Sequence, residues 1–183
     1  MNDTPLFSFF KGPIRNTMPY RDITPYQVWQ YLTGPYAARA TAALRSLTDR
    51  KEARQYKAGH FAYACFSGTF SKRSDDALVK ASGLMCIDFD HVGDVDALKA
   101  KLLADPSLET VLAFRSPSGD GLKWVIAVDL SEMSHLRMFA AVCNYLKSRY
   151  GVEADPSGRD VSRACFLPHD PDAYLNPDYA PAL

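Results

Sequence analysis

The order in which hydrophobic spacing changes beyond residue 82 limits the possible folds more than any other feature. "GLMCIDF" (83–89) is a short apolar run of strand character, and "DVDALKAKLLAD" (94–105) then sets Val95, Leu98, Leu102 and Leu103 at helical intervals. "ETVLAFR" (109–115) and "LKWVIAVD" (122–129) return to strand-like runs. A long helix follows in "EMSHLRMFAAVCNYLKSRYG" (132–151), closed by Gly151, and "RACFLPH" (163–169) supplies a fourth strand. Strand, helix, strand, strand, helix, strand is the split βαβ pattern of a ferredoxin-like or RRM-like βαββαβ sheet. The expected class is α/β (α+β), with the first and third strands adjacent at the centre of the sheet and the fourth beside the first.

Ahead of this core (81–183), residues 1–80 are expected to form a helical N-terminal part with a strand and turn. Thr24 caps a helix that has Pro25 at its first position and ends at Gly34-Pro35. "AARATAALRSLTDRKEARQYKAG" (37–59) reads as a further helical run, and "FAYACFSGTF" (61–70) as the strand and turn. At 183 residues and 47% hydrophobic content the chain can bury one core, so 1–183 is expected to be a single domain. Lys plus Arg and Asp plus Glu both total 21, which removes a global basic field and leaves any anionic partner to local patches. Cys65, Cys86, Cys143 and Cys165 form no C-x-x-C pair, and no apolar run is long enough to span a membrane. A cytoplasmic protein with reduced thiols and no membrane contact is expected.

Within the first strand, Asp88 and Asp90 sit two residues apart. On a strand they share a face, roughly 6 to 7 Å apart, while Phe89 points the other way. Like charges so placed repel unless water or a cation lies between them. The third strand, adjacent in the expected sheet, begins with Lys123. Before it runs "RSPSGDGLK" (115–123), where Gly119 and Gly121 free the backbone to present N–H groups and Ser116 and Ser118 add hydroxyls, as a phosphate cradle requires. "EADPSGRDVSRACF" brings Asp155 towards the first strand and supplies Arg163, which can grip a phosphate through two hydrogen bonds. Three carboxylates on one face suit oxygen-loving Mg²⁺ or Mn²⁺ rather than zinc. The four histidines show no zinc spacing.

In this order the segments "FFKGP", "CFSGTF", "SGLMCIDFDHV", "SPSGDGLKWVI" and "DPSGRDVSRACFLPHDPDAYLNP" resemble the VirE N-terminal-like domain family, related to the archaeo-eukaryotic primase and primase-polymerase superfamily. The resemblance implies a primase-polymerase-like fold. It implies that Asp88 and Asp90 form the first catalytic motif and Asp155 the third, together holding two metal ions. In the second motif that superfamily carries Ser and His, whereas this chain has Lys123, which can hold a phosphate but cannot copy imidazole geometry.

The function expected is metal-dependent nucleotidyl transfer, as in a DNA or RNA primase-polymerase replicating a mobile element, plasmid or phage. Asp88, Asp90 and Asp155 are the expected catalytic and metal-holding residues. Ser116, Ser118, Gly119, Gly121, Lys123 and Arg163 would hold a nucleoside triphosphate. Arg45, Arg54, Lys57, Lys72 and Arg73 would bind single-stranded or primed DNA or RNA, and a helicase-like partner is implied. The alternative is a nucleic-acid and nucleotide-binding domain without the reaction.

Overall fold

The computed structural model describes residues 4–181, and within them two four-stranded antiparallel sheets and five α-helices stack in layers. The first sheet contains β1 (Phe7–Phe10), β2 (Arg21–Ile23), β3 (Tyr63–Cys65) and, near the end of the chain, Cys165–Phe166; β1 lies between β2 and β3. Helices α1 (Pro25–Thr33), α2 (Ala38–Ser46) and α3 (Arg50–His60) connect β2 to β3. A hairpin of β4 (Gly68–Phe70) and β5 (Leu78–Ala81) leads to the second sheet. That sheet is built from β6 (Leu84–Phe89), β7 (Thr110–Arg115), β8 (Leu122–Ala127) and β10 (Tyr174–Leu175), with α4 (Val95–Leu103) after β6 and α5 (His135–Tyr150) after β8; Cys165–Phe166 is β9.

Local chemistry sets the helix ends. The Gln27 N–H donates to Thr24 Oγ1 and the Thr24 N–H to Gln27 Oε1, so the start of α1 satisfies two otherwise free donors. The run expected as one helix over 37–59 is broken at Leu47–Asp49, because Asp49 Oδ1 accepts from the Glu52 N–H (2.7 Å) and starts α3 anew. Gly151, at φ +67°, closes α5.

In the second sheet the order is β10-β7-β8-β6, with β8 antiparallel to both its neighbours. This reproduces the expected adjacency of first and third strands. The expected fourth strand behaves differently. Only Cys165–Phe166 is extended, and it pairs with β3 of the other sheet. The chain before it runs Asp155-Pro156-Ser157-Gly158, a turn of 3-10 helix whose proline cannot donate to a ladder. A single bond, from the Asp155 N–H to the Asp88 carbonyl (2.8 Å), stands where a strand beside β6 was expected.

The pleat divides β6 and β8 between two cores. Met85, Ile87, Phe89, Trp124 and Ile126 pack against Leu98 and Leu102 of α4 and Phe139, Val142 and Leu146 of α5. Leu84, Leu112, Phe114 and Val125 face the first sheet and α1, meeting Phe7, Phe9, Ala64, Phe66, Val28 and Leu32. By the two-residue period Asp88 and Lys123 belong to this second face, between the sheets, at the end where the sandwich opens. Among the described residues no helix is long and apolar enough to cross a membrane.

Candidate active-site cleft

Asp88 and Lys123 are direct cross-strand partners in the β6–β8 ladder. Each is more than nine-tenths buried, at 8% and 9% exposure. Lys123 Nζ donates to Asp88 Oδ2, while Asp88 Oδ1 is buried with no hydrogen-bond partner. Burial pushes the Asp88 carboxyl above its ordinary range, outweighing the Lys123 ammonium, and Asp90 and Asp155 push the same way. Burial also disfavours the charge on Lys123, yet its coulombic interactions with Cys165 and Asp88 and its hydrogen bond to Asp88 outweigh that and hold the ammonium above the usual lysine range.

A cleft of about 310 Å³ opens above this pair, with Asp90 at its rim. Four cations line it: Lys57 at the end of α3, Arg73 beyond β4, Lys123, and Arg163. Lys57 is held below the usual lysine range by burial first and by Lys123 second, with Asp90 and Asp88 opposing. Arg73 donates to Tyr63 Oη and to the Ile14 carbonyl, both at 3.1 Å, which fixes its guanidinium on the wall. Asp160, Ser162, Ala164, Ile14 and Phe166 complete the lining, and none of these five was among the expected site residues. Ile14 and Phe166 lie far from the aspartates in sequence: Phe166 reaches the cleft through the pairing of β9 with β3, and Ile14 through the bond of its N–H to the Ala58 carbonyl of α3.

Asp155 lies beside β6, but its carboxylate is turned inward. It accepts from the Ser157 N–H (2.9 Å), from Ser157 Oγ (2.6 Å) and from Arg163 (3.2 Å). Burial pushes its pKa up, but those Ser157 bonds and Arg163 outweigh it and hold the carboxyl below its usual range. Among the described residues no group of three or more His, Cys, Asp and Glu side chains is gathered as a ready metal cage, although Asp90 and Asp155 both act on Asp88 electrostatically.

The Gly and Ser loop is likewise occupied with itself. Ser116 is buried, its Oγ accepts from the Gly121 N–H (3.1 Å), and its own N–H donates to the Gly121 carbonyl (2.8 Å). The Gly119 N–H, at a residue with φ +89°, donates to the Ser116 carbonyl. Arg45 of α2 donates to the carbonyls of Pro117 (3.2 Å) and Ser116 (3.3 Å), so it clamps the loop. Ser116, Ser118, Gly119 and Gly121 are not among the described lining of the cleft. The loop buttresses Asp90 instead: the Val92 N–H donates to the Asp120 carbonyl (2.7 Å), and His91 Nδ1 contacts Asp120 Oδ2 (2.6 Å). Arg54 and Lys72 are exposed outside the cleft.

A family model described as the BT4734-like, N-terminal domain matches residues 55–175. The chain belongs to the BT4734-like N-terminal domain family. This match corrects the resemblance to the VirE N-terminal-like and primase-polymerase families, whose motifs are short and individually unspecific. The BT4734-like region runs from within α3 to β10 and takes in every charged residue of the cleft. No curated protein and no solved structure matches the chain.

Proposed function

We propose that the cleft is the centre of a metal-dependent nucleotidyltransferase that joins a nucleotide to the 3′ hydroxyl of a primer or an initiating nucleotide. The observation that carries this reading is Asp88 Oδ1, a buried carboxylate oxygen without a partner at the floor of a cleft that also holds Asp90 and four cations. Leaving such an oxygen unsatisfied is costly, and a hard cation would satisfy it. Asp88 Oδ1 and Asp90 fit Mg²⁺ or Mn²⁺ as an all-oxygen donor pair. When bound, such an ion lowers the pKa of an attacking hydroxyl and offsets charge on the departing pyrophosphate.

The chain's own groups would do the rest. Lys123 holds Asp88 Oδ2 and leaves Oδ1 without a partner. Lys57, Arg73 and Arg163 offer charge-assisted hydrogen bonds to the oxygens of a triphosphate. Asp155 acts from behind, fixing Arg163 and, through its N–H, the end of β6. The path β6–α4–β7–β8–α5 supports a ferredoxin-like layer under the cleft whose fourth strand is diverted to the other sheet. Four unpaired cysteines support a reducing compartment such as the cytoplasm.

A second reading, binding without reaction, is favoured by the Asp88–Lys123 ion pair, which supplies Asp88 with a cation of its own. Labelled triphosphate, Mn²⁺ or Mg²⁺, and primed or unprimed single strands separate the two. Incorporation with release of pyrophosphate is expected, and Asp90→Ala, an exposed and structurally mild change, should abolish it. Triphosphate that raises the melting temperature while nothing is incorporated with either metal would leave only the binding reading.

A further inference from the structure

A second hollow, about 520 Å³, lies between the first sheet and α1 and is lined by Phe9, Lys11, Arg21, Tyr31, Tyr36 and His60 among others, none of them acidic. Its aromatic rings form a ladder. Tyr36, 75% exposed, stacks on Tyr31 at 5.4 Å and 8°, and Tyr31 meets Phe9 edge-on at 5.8 Å. Tyr20, 57% exposed and outside the described lining of the hollow, meets Phe9 edge-on at 6.4 Å and carries Lys11 Nζ 3.5 Å above one face of its ring. The outer face of Tyr36 is thus open and held parallel to a ring already stacked beneath it.

Strand alternation sorts the charges. Arg21 is the register partner of Phe9 and shares its face, whereas Asp22 is turned to the opposite face, where it accepts from buried Ser8 Oγ (2.9 Å). Neither Lys11 nor Arg21 is ion-paired to a carboxylate among the described residues. The neutral total conceals a division of charge that favours the same surface. Residues 1–60 carry nine Lys and Arg against four Asp and Glu, and residues 61–183 carry twelve against seventeen.

One wall separates this hollow from the cleft. Gly12 and His60 line the hollow, Ile14 and Lys57 line the cleft, and the Ile14 N–H donates to the Ala58 carbonyl (2.8 Å) between them. We propose that the hollow is a stacking platform for single-stranded nucleic acid, with one base on Tyr36, a neighbouring base at Tyr20, and the intervening phosphates at Lys11 and Arg21. An open aromatic face in a cationic, acid-free groove, with a second exposed ring beside it, is what a sequence-tolerant strand site requires, because every base has a π-face and every link a negative charge. The shared wall leads such a strand towards Lys57 and the aspartates. The platform deepens the nucleotidyltransferase reading by supplying the strand to be extended, yet it rests on different residues.

Fluorescence anisotropy with labelled dT12 and rU12, without divalent metal, tests the platform apart from the cleft. Wild type should bind at least one of the two with affinity that falls as salt rises. Tyr36→Ala and Tyr20→Ala should each weaken binding about tenfold, Tyr36→Trp should preserve it, and Lys11→Gln or Arg21→Gln should each lower the log–log salt slope by about 0.7. Wild-type affinity in both alanine variants, or no oligonucleotide binding by wild type, overturns the proposal. Triphosphate-induced thermal stabilisation should be unchanged in the tyrosine variants, so the platform can fail while the cleft stands. Strand binding with this tyrosine dependence but no incorporation supports the platform and rejects the catalytic reading.

Discussion

Asp88 and Lys123 hold each other in a place where neither could remain charged alone. Removing one partner of a buried pair leaves the other uncompensated, at a cost of about 3 to 5 kcal/mol, whereas removing both charges is often nearly neutral. Lys123→Met should therefore destabilise the protein by about 3 kcal/mol in urea unfolding at pH 7, and the Asp88→Asn/Lys123→Met double variant should recover most of that loss. The pH dependence has a definite sign. Asp88 already titrates above its ordinary value because of burial. Without Lys123 it rises further, so the penalty is full above that raised value and disappears as pH falls towards the unfolded carboxyl near ~3.9. A deficit that stays constant down to pH 4 would show that Asp88 is not the uncompensated group. Much of this pair was legible in the sequence, since alternation placed Asp88 and Asp90 on one face and strand order brought Lys123 opposite. The buried fate of Ser116 and the inward turn of Asp155 were not. Both depend on which backbone groups of a folded loop need partners, and residue type alone does not carry that information.

At the scale of elements, the loop before β8 is pinned by a close approach. A Cβ on Gly121 would stand 2.4 Å from the Phe89 carbonyl oxygen and 3.1 Å from Ser116 Oγ. Gly121→Ala should push the loop off the end of β6, costing about 1 to 3 kcal/mol in chemical unfolding and weakening any metal-dependent thermal shift, because Asp90 follows Phe89 directly. A variant with wild-type stability and the same metal response would mean that the loop moves independently of the aspartates. The long elements β6, α4, β7, β8 and α5 were readable because each repeats its spacing over six or more residues. Of the short strands, β3 and β4 lie within the strand and turn expected over 61–70, whereas β1 and β2 gave no signal. "FSFF" of β1 is buried at all four positions and so shows no alternation, and β2 has only three residues. The break between α2 and α3 turns on a single cap, Asp49, which a charged helical run hides.

Across the whole molecule, the two sheets share one apolar interface, and β1 contributes Phe7 and Phe9 to it from the middle of its own sheet. The family match begins at residue 55, inside α3, and so excludes β1, β2, α1 and α2. Both hydrogen-bonding edges of β3 are occupied in the complete arrangement, by β1 on one side and β9 on the other. A piece spanning 55–183 would keep the cleft's charged side chains but strip one flank of Tyr63–Cys65 and uncover the apolar face of β6 and β8. Sedimentation velocity on that piece should show self-association and its melting should lose cooperativity; a monomer with a sharp transition would mean that the shared interface is dispensable. In the full chain β1 is therefore also a guard: by filling the bare flank of β3, it denies other copies a template on which to add strands.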